Sequence, residues 1–307
     1  MLFNLPPKKV ESYDGSPQTV RKTPVGNQSI IYGTAWKEER TATLVEKAVR
    51  AGFRYIDTAN QPKHYNEAGV GEGIANALKR VPGIRRSDIT IQTKFSPAKG
   101  QDPDNMPFDP SAPLPDQVRS SLASSLKNLR TDYIDVLLLH SPLSTSTNEA
   151  TMQVWRTFES FVADGTVRQL GLSNVYDLKT LKYIFEAALV KPTVLENRFY
   201  KKTNFDSEIR KFSKSHGIQY QSFWTLTAQR KELAGAPIQK IAASKGISAE
   251  MLMYAFVHAI GIVPISGTTS EKHMAEDVSL MTRKSVFTNQ DEEDFVTMSN
   301  ILQFHDR

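Results

Sequence analysis

Asp57, Tyr65 with His64 beside it, Lys94, His140 and the pair Ser173-Asn174 are the side chains of this 307-residue chain best suited to giving, taking or holding a proton. Each stands at or just beyond the carboxyl end of a short apolar segment. A carboxylate at a strand end, followed by a phenol on a loop, is a common way to build a site on an α/β scaffold. The stretch 52–73, GFRYIDTANQPKHYNEAGVGEG, has that form. It opens as a strand over 53–57, continues as a polar loop with Lys63, His64 and Tyr65, and becomes a helix near Asn66. Singly, each residue has an ordinary explanation. Asp57, Thr58 and Asn174 suit turns, Lys94 a surface cation, His140 a satisfied interior histidine. Their weight comes from the elements that hold them.

Those elements repeat. Segment 28–36, QSIIYGTAW, reads as a strand, and the helix ERTATLVEKAVRAG follows with Leu44, Val45, Ala48 and Val49 on one face. Strand 53–57 precedes a helix at about 66–79, and strand 88–94 precedes a long loop and the helix DQVRSSLASSLKNL, with Val118, Leu122, Leu126 and Leu129 in one stripe. Strand YIDVLLLH leads to helix EATMQVWRTFESFVADG, closed by Gly165. Strand VRQLGLS precedes a helix capped by Asp177, and strand 193–197 one capped near Asn204 or Asp206. Strand 218–223 is followed by two helical stretches separated by Gly246. Strand GIVPIS, helix EKHMAEDVSLM and a closing helix over 289–302 complete the chain.

Short apolar strands rich in β-branched residues are expected where both faces of a parallel sheet are buried. Repeated strand–helix units of this number predict a closed (β/α)8 TIM barrel as a single domain over 26–307, with 1–25 an N-terminal extension. A doubly wound sheet is the runner-up, but no GxGxxG follows the first strand, and GVGEG at 69–73 falls in or beside a helix. Barrel sites lie at the carboxyl ends of the strands, and that one rim collects Asp57, Lys94, His140 and Ser173-Asn174.

Composition excludes several classes. Hydrophobic residues are 39% and charged residues 23%, ordinary for a globular protein, and the net charge of +5 is spread without basic runs, so no nucleic-acid partner is expected. The absence of cysteine removes disulfides, thiolate metal sites and a thiol nucleophile, and no metal centre is expected. Neither a signal peptide nor a membrane-length apolar run is read, so the expectation is a cytoplasmic protein without membrane partners.

The stretch 52–73 resembles the signature of the aldo-keto reductases, and GTAW at 33–36, TKF at 93–95, LLLHSP at 137–142, GLSNV at 171–175 and PISGTTS at 264–270 follow in that family's order. The resemblance implies reduction of an aldehyde or ketone by NADPH, with NADH also usable, in a monomer or weak homo-oligomer. It implies that Tyr65 supplies the proton, Lys94 and Asp57 assist the phenol, and His140 orients the carbonyl. A phenol with a reference pKa of about 10 needs such help near neutrality. Cofactor contacts are implied for Gly33, Thr34, Asp57, Ser173, Asn174, Glu196, Phe223, Trp224, Leu226, Ser266, Thr268, Lys272 and Asp277. Substrate contacts are implied for Trp36, Tyr65, Phe95 and His140.

Several positions depart from the family pattern. Tyr65 lies three residues further from Asp57 than usual, directly beside Asn66, and His64 holds the usual tyrosine place, so QPK must loop outward and His64 is a substitute donor. The usual strand-six Gln is Glu196, which accepts but cannot donate while ionised. Phe223 replaces a stacking Tyr and Trp224 a Ser; Ile265 stands where a Lys would favour NADPH, and Asp277 near a usual Asn. The Pro-rich loop 96–115, with Met106 and Phe108, and the tail residues Phe304 and His305 are expected to wall an apolar substrate pocket. A cofactor-binding regulatory subunit and a non-redox barrel enzyme are the alternative classes.

Overall fold

Side chains alternate across a strand, so each strand of a barrel sends every second residue into the interior and the others toward the helices. In β4 (Ile134–Leu139) all six residues are buried, and the two sets separate cleanly. Val136 and Leu138 join an inner cluster with Ile31, Tyr55, Val194, Val263 and Ile265, whereas Leu137 and Leu139 belong to the larger core beneath the helices. The computed structural model describes residues 30–143, 147–282, 286–287 and 291–304. The expected extension over 1–25 and the expected pocket residue His305 lie outside the described residues.

The other strands are β1 (Ile31–Gly33), β2 (Tyr55–Asp57), β3 (Thr90–Phe95), β5 (Val167–Ser173), β6 (Val194–Arg198), β7 (Gln219–Phe223) and β8 (Ile262–Ser266). All pair in parallel in chain order, and β8 pairs back to β1 through Ile31 with Ile265 and Tyr32 with Ser266. The sheet is a closed (β/α)8 barrel. Around it run α1 (Thr41–Ala51), α2 (Glu67–Arg80), α3 (Leu114–Leu129), α4 (Glu149–Ala163), α5 (Leu178–Ala187) and α6 (Ser207–Ser215). They continue as α7 (Arg230–Leu233), α8 (Ala236–Ser244), α9 (Ala249–Ala259), α10 (Glu271–Thr282) and α11 (Glu292–Leu302).

Local chemistry explains the boundaries. Asn66 opens α2 by accepting from the Gly69 N–H at 2.8 Å, and Asp177 opens α5 by accepting from Lys179 and Thr180, each a cap worth about 1 kcal/mol. Asp206 does not cap α6: its Oδ2 accepts from Asn197 at 2.7 Å and Tyr220 at 2.8 Å. The glycines of GVGEG lie inside α2 and set its packing. A Cβ on Gly71 would strike the backbone of Asn128 and Leu129 in α3, and one on Gly73 the Ala42 carbonyl of α1. They are contact glycines between helices, not a phosphate loop. β1 ends at Gly33, and the chain turns at residues 35–36.

Candidate active site

The interior-facing parity of β2 and β3 brings Asp57 and Lys94 together. Lys94 is fully buried, and its Nζ donates to Asp57 Oδ1 at 2.6 Å and to the Thr58 carbonyl at 3.0 Å. Thr34, at the rim after β1, fixes the same strand end by donating both its N–H and its hydroxyl to the Asp57 carbonyl. A second carboxylate approaches from β6, with Glu196 Oε2 3.3 Å from Lys94 Nζ. Burial opposes the ammonium, but Asp57 and Glu196 overcome it and hold Lys94 above its ordinary range. Glu196 is pushed up by burial and by Asp57, with Lys94 opposing.

The loop after β2 resolves the spacing problem around Tyr65. Pro62 and Lys63 project into solvent, and the N–H groups of His64 and Tyr65 both donate to the Gln61 carbonyl at 3.0 Å. The three extra residues form an outward bulge, so Tyr65 turns back over the rim. Its ring centroid lies 5.4 Å from Lys94 Nζ and 6.0 Å from the His140 ring. No hydrogen bond joins the Tyr65 hydroxyl to Lys94. Burial raises the phenol's pKa and Lys94 opposes the rise. His64 faces elsewhere: its ring packs against Trp36 at 4.0 Å, and its buried Nδ1 has no partner among the described residues. Burial lowers its pKa. Trp36, Pro62, His64 and Tyr65 help line a pocket of about 360 Å³.

His140, just past β4, is pushed down to about 3 by burial and by the Lys94 charge, so its ring is neutral at physiological pH. Its Nδ1 meets Ser96 Oγ. With the serine donating, the remaining ring proton sits on Nε2, the form that donates to a carbonyl oxygen. Ser173 is buried at the end of β5, and Asn174, at φ 56°, donates to the His140 carbonyl at 2.9 Å and to Ser173 Oγ at 3.1 Å. The Asn174 amide therefore braces the β4 end as well as facing the rim.

Phe223 ends β7 partly buried, Trp224 follows at φ 59° and 49% exposed, and Leu226 packs against the core. Facing them from the end of β6 is Arg198, absent from the sequence reading. Its guanidinium is 3.9 Å from the Trp224 ring centroid and 5.7 Å from that of Phe223, and its buried Nε is unpartnered among the described residues. Period two along β6 places Arg198 on the face of Glu196, which was the available signal. The same parity marks Gln92 and Gln221. Gln92 Nε2 lies within 2.9 Å of Asp57, Glu196 and Gln221 oxygens, and Tyr55 closes the network by donating to Gln92 at 2.7 Å.

At the β8 end, Ser266 Oγ donates to Asp277 Oδ2 at 2.6 Å. Burial pushes Asp277 up to about 7 against that bond. The Thr268 and Gly267 carbonyls accept from Tyr32 at 3.0 Å and Lys37 at 2.7 Å, tethering the loop to β1. Lys37 is itself pushed down to about 8 by burial and by Arg40. Lys272 is 80% exposed, with Glu276 3.8 Å away. Gly33 faces Ile265, whose methyl would meet any Cβ there.

Three expected pocket walls, Phe95, Phe108 and Phe304, are placed differently. Phe95 is one residue past Lys94 and so points outward, buried against Phe108 and Phe158. Phe304 is buried against Phe199, Phe205 and Phe256, outside the barrel. Trp36 stays at the rim, 64% exposed.

Comparison with known proteins agrees with this architecture. The aldo/keto reductase family description matches residues 26–295. Glyoxal reductase of Bacillus subtilis is 27% identical over 239 residues, covering 77% of this chain and 76% of that protein. NAD(P)H-dependent D-xylose reductase of Pachysolen tannophilus is 26% identical over 308 residues, covering 88% of this chain and 90% of that protein. Among solved structures, an aldo/keto reductase of Brucella melitensis shares the fold with a TM-score of 0.72 at 23% identity, covering 88% of this chain and 94% of that one.

Proposed function

The chain belongs to the aldo/keto reductase family, and from that premise we propose that it reduces an aldehyde or ketone to the alcohol, with Tyr65 as proton donor. The observation that carries this reading is the buried Lys94–Asp57 pair at 2.6 Å with the Tyr65 and His140 rings beside it. Bound NADPH, or NADH less tightly, would supply the hydride. Neutral His140 donates to the carbonyl oxygen, which sets the substrate's orientation and shares the charge that develops there. Tyr65 then gives its phenolic proton to that oxygen. Lys94 stabilises the phenolate left behind, and Asp57 with the Thr58 carbonyl holds the ammonium in place. Such acid assistance is typically worth about 10²–10⁴ in rate, and positioning by the barrel supplies further acceleration.

The residues present suit a dinucleotide. Phe223 and the exposed Trp224 offer flat apolar faces for a ring, and Ser173, Asn174 and Glu196 offer polar groups for an amide. Gly267 has open space where a Cβ would stand, and Ser266, Thr268 and exposed Lys272 provide hydroxyls and one cation for phosphate. Trp36 and Trp224, both exposed at the rim, favour a carbonyl compound with an apolar body. A panel of aldehydes and ketones, followed by loss of reduced-nicotinamide absorbance, tests the proposal. Turnover with apolar carbonyls is expected. Cofactor binding without turnover of any member would contradict it.

A further inference from the structure

Lys94 has three N–H groups, three oxygen neighbours within 3.3 Å and the Tyr65 ring beside them. Two are committed, to Asp57 Oδ1 at 2.6 Å and to the Thr58 carbonyl at 3.0 Å. The third is left to be shared between Glu196 Oε2, 3.3 Å away, and Tyr65, whose ring centroid is 5.4 Å from the nitrogen. Glu196 is 3% exposed and cannot turn to water instead. Gln92 donates to Glu196 Oε2 at 2.9 Å and to Asp57 Oδ1 at 2.8 Å, holding the two carboxylates side by side.

We propose that Glu196 is a positioning residue that competes with Tyr65 for the third N–H of Lys94, and that its protonation hands that hydrogen to the phenol. The inference rests on the reductase reading of the site. When Glu196 carries a proton, Lys94 answers one carboxylate, and its free N–H turns to stabilise the phenolate that forms as Tyr65 gives up its proton. When Glu196 is ionised, Lys94 is drawn toward it and the cluster of Asp57, Glu196 and Lys94 carries net negative charge. That charge opposes a developing phenolate. The groups facing Glu196 are Asp57 and Tyr55 from β2, Lys94 and Gln92 from β3, Gln221 from β7, and Tyr65 from the loop after β2. The next residue on that face of β6 is a second cation, Arg198, whose guanidinium lies against the Trp224 ring, and among the described residues Lys94 is the cation paired with Glu196. Burial and Asp57 favour the protonated form, so the release of Lys94 is the state near neutrality and the capture is the state at higher pH.

The test compares wild type with Glu196→Gln. In the first readout, kcat/KM for carbonyl reduction is measured against pH. Wild-type reduction should decline as pH rises above neutrality, and in Glu196→Gln the decline should move at least about one pH unit higher. The second readout needs no turnover: tyrosines are labelled with ¹³C at the ring carbon bearing the hydroxyl, and Tyr65 is assigned by its loss in Tyr65→Phe. The Tyr65 signal should begin to ionise at lower pH in Glu196→Gln than in wild type. Superimposable pH profiles, or an identical Tyr65 titration in both proteins, would overturn the proposal. If no carbonyl is reduced, the reductase reading falls, while the Tyr65 signal still decides whether Glu196 competes for Lys94. Should Glu196→Gln not fold, Gln92→Leu removes a donor that favours ionised Glu196 and should also move the decline upward; an unmoved decline there counts against the proposal.

Discussion

Asp57 and Asp277 are equally buried at the same rim, 3% exposed each, yet they meet opposite surroundings. Asp57 has an ammonium at 2.6 Å, a backbone frame from Thr34 and the amide of Gln92. Among the described residues, Asp277 has one close donor, the Ser266 hydroxyl, and no ion pair, and it is pushed up to about 7. The barrel interior around β2, β3 and β6 thus stores charge in compensated form, where it can act on a reacting phenol. Among the described residues, the β8 end holds an acid with no ion-pair partner, and its nearby lysine, Lys272, is mostly in water. Under the proposed function, the first region carries the chemistry and the second holds a phosphate only loosely.

Replacing the ammonium should give the largest effect. Lys94→Met leaves Asp57 and Glu196 buried without their cation, and carbonyl reduction should fall by about 10²–10⁴. Losing one partner of a buried ion pair also costs about 3–5 kcal/mol, so a denaturant titration should show a less stable but folded protein. Near-normal turnover in a folded Lys94→Met protein would erase the distinction between the two regions.

Asp277→Asn probes the other acid through stability. The folded-state pKa of Asp277 is raised, so the native state binds the extra proton. Its contribution is complete below about pH 4 and is lost as pH rises through about 7. The asparagine side chain of the variant cannot ionise. Above that pH Asp277→Asn should therefore be more stable than wild type by on the order of 2–4 kcal/mol, and the gap should close in acid. Parallel stability-versus-pH curves would show that Asp277 is compensated after all.

The smallest effect should come from Lys272. A charge-assisted hydrogen bond is worth about 1.5–3 kcal/mol when well formed, but an 80% exposed lysine delivers less. Lys272→Ala should therefore lower the kcat/KM preference for NADPH over NADH by less than about tenfold. A large NADPH preference untouched by the substitution would mean that another group, such as Lys37 or Arg198, reads the phosphate.

Much of the candidate site was legible because strand parity is rigid. Once β3 is a strand, Lys94 faces inward with Gln92, and Phe95 must face the helices; expecting Phe95 in the pocket overlooked that rule. Gln92, Gln221 and Arg198 were visible by the same parity, as polar residues two positions from an inward neighbour. Their significance depended on which strands meet across the interior, which spacing along one strand does not encode. Phe304 was misplaced for a related reason, since its partners Phe199, Phe205 and Phe256 are distant in the chain. The β8 end was least legible. Its contacts run between loops, as Lys37 to Gly267 and Tyr32 to Thr268, and loops obey no fixed period.

The most direct test of the proposed chemistry sets Tyr65→Phe against His64→Ala, with kcat/KM for a carbonyl substrate and NADPH affinity measured in both. Tyr65 lies beside Lys94 and His140, whereas His64 stacks on Trp36. Tyr65→Phe should therefore lose about 10²–10⁴ of the activity with cofactor affinity unchanged, and His64→Ala should keep most of it. An active Tyr65→Phe protein together with an inactive His64→Ala protein would contradict the assignment of the proton donor.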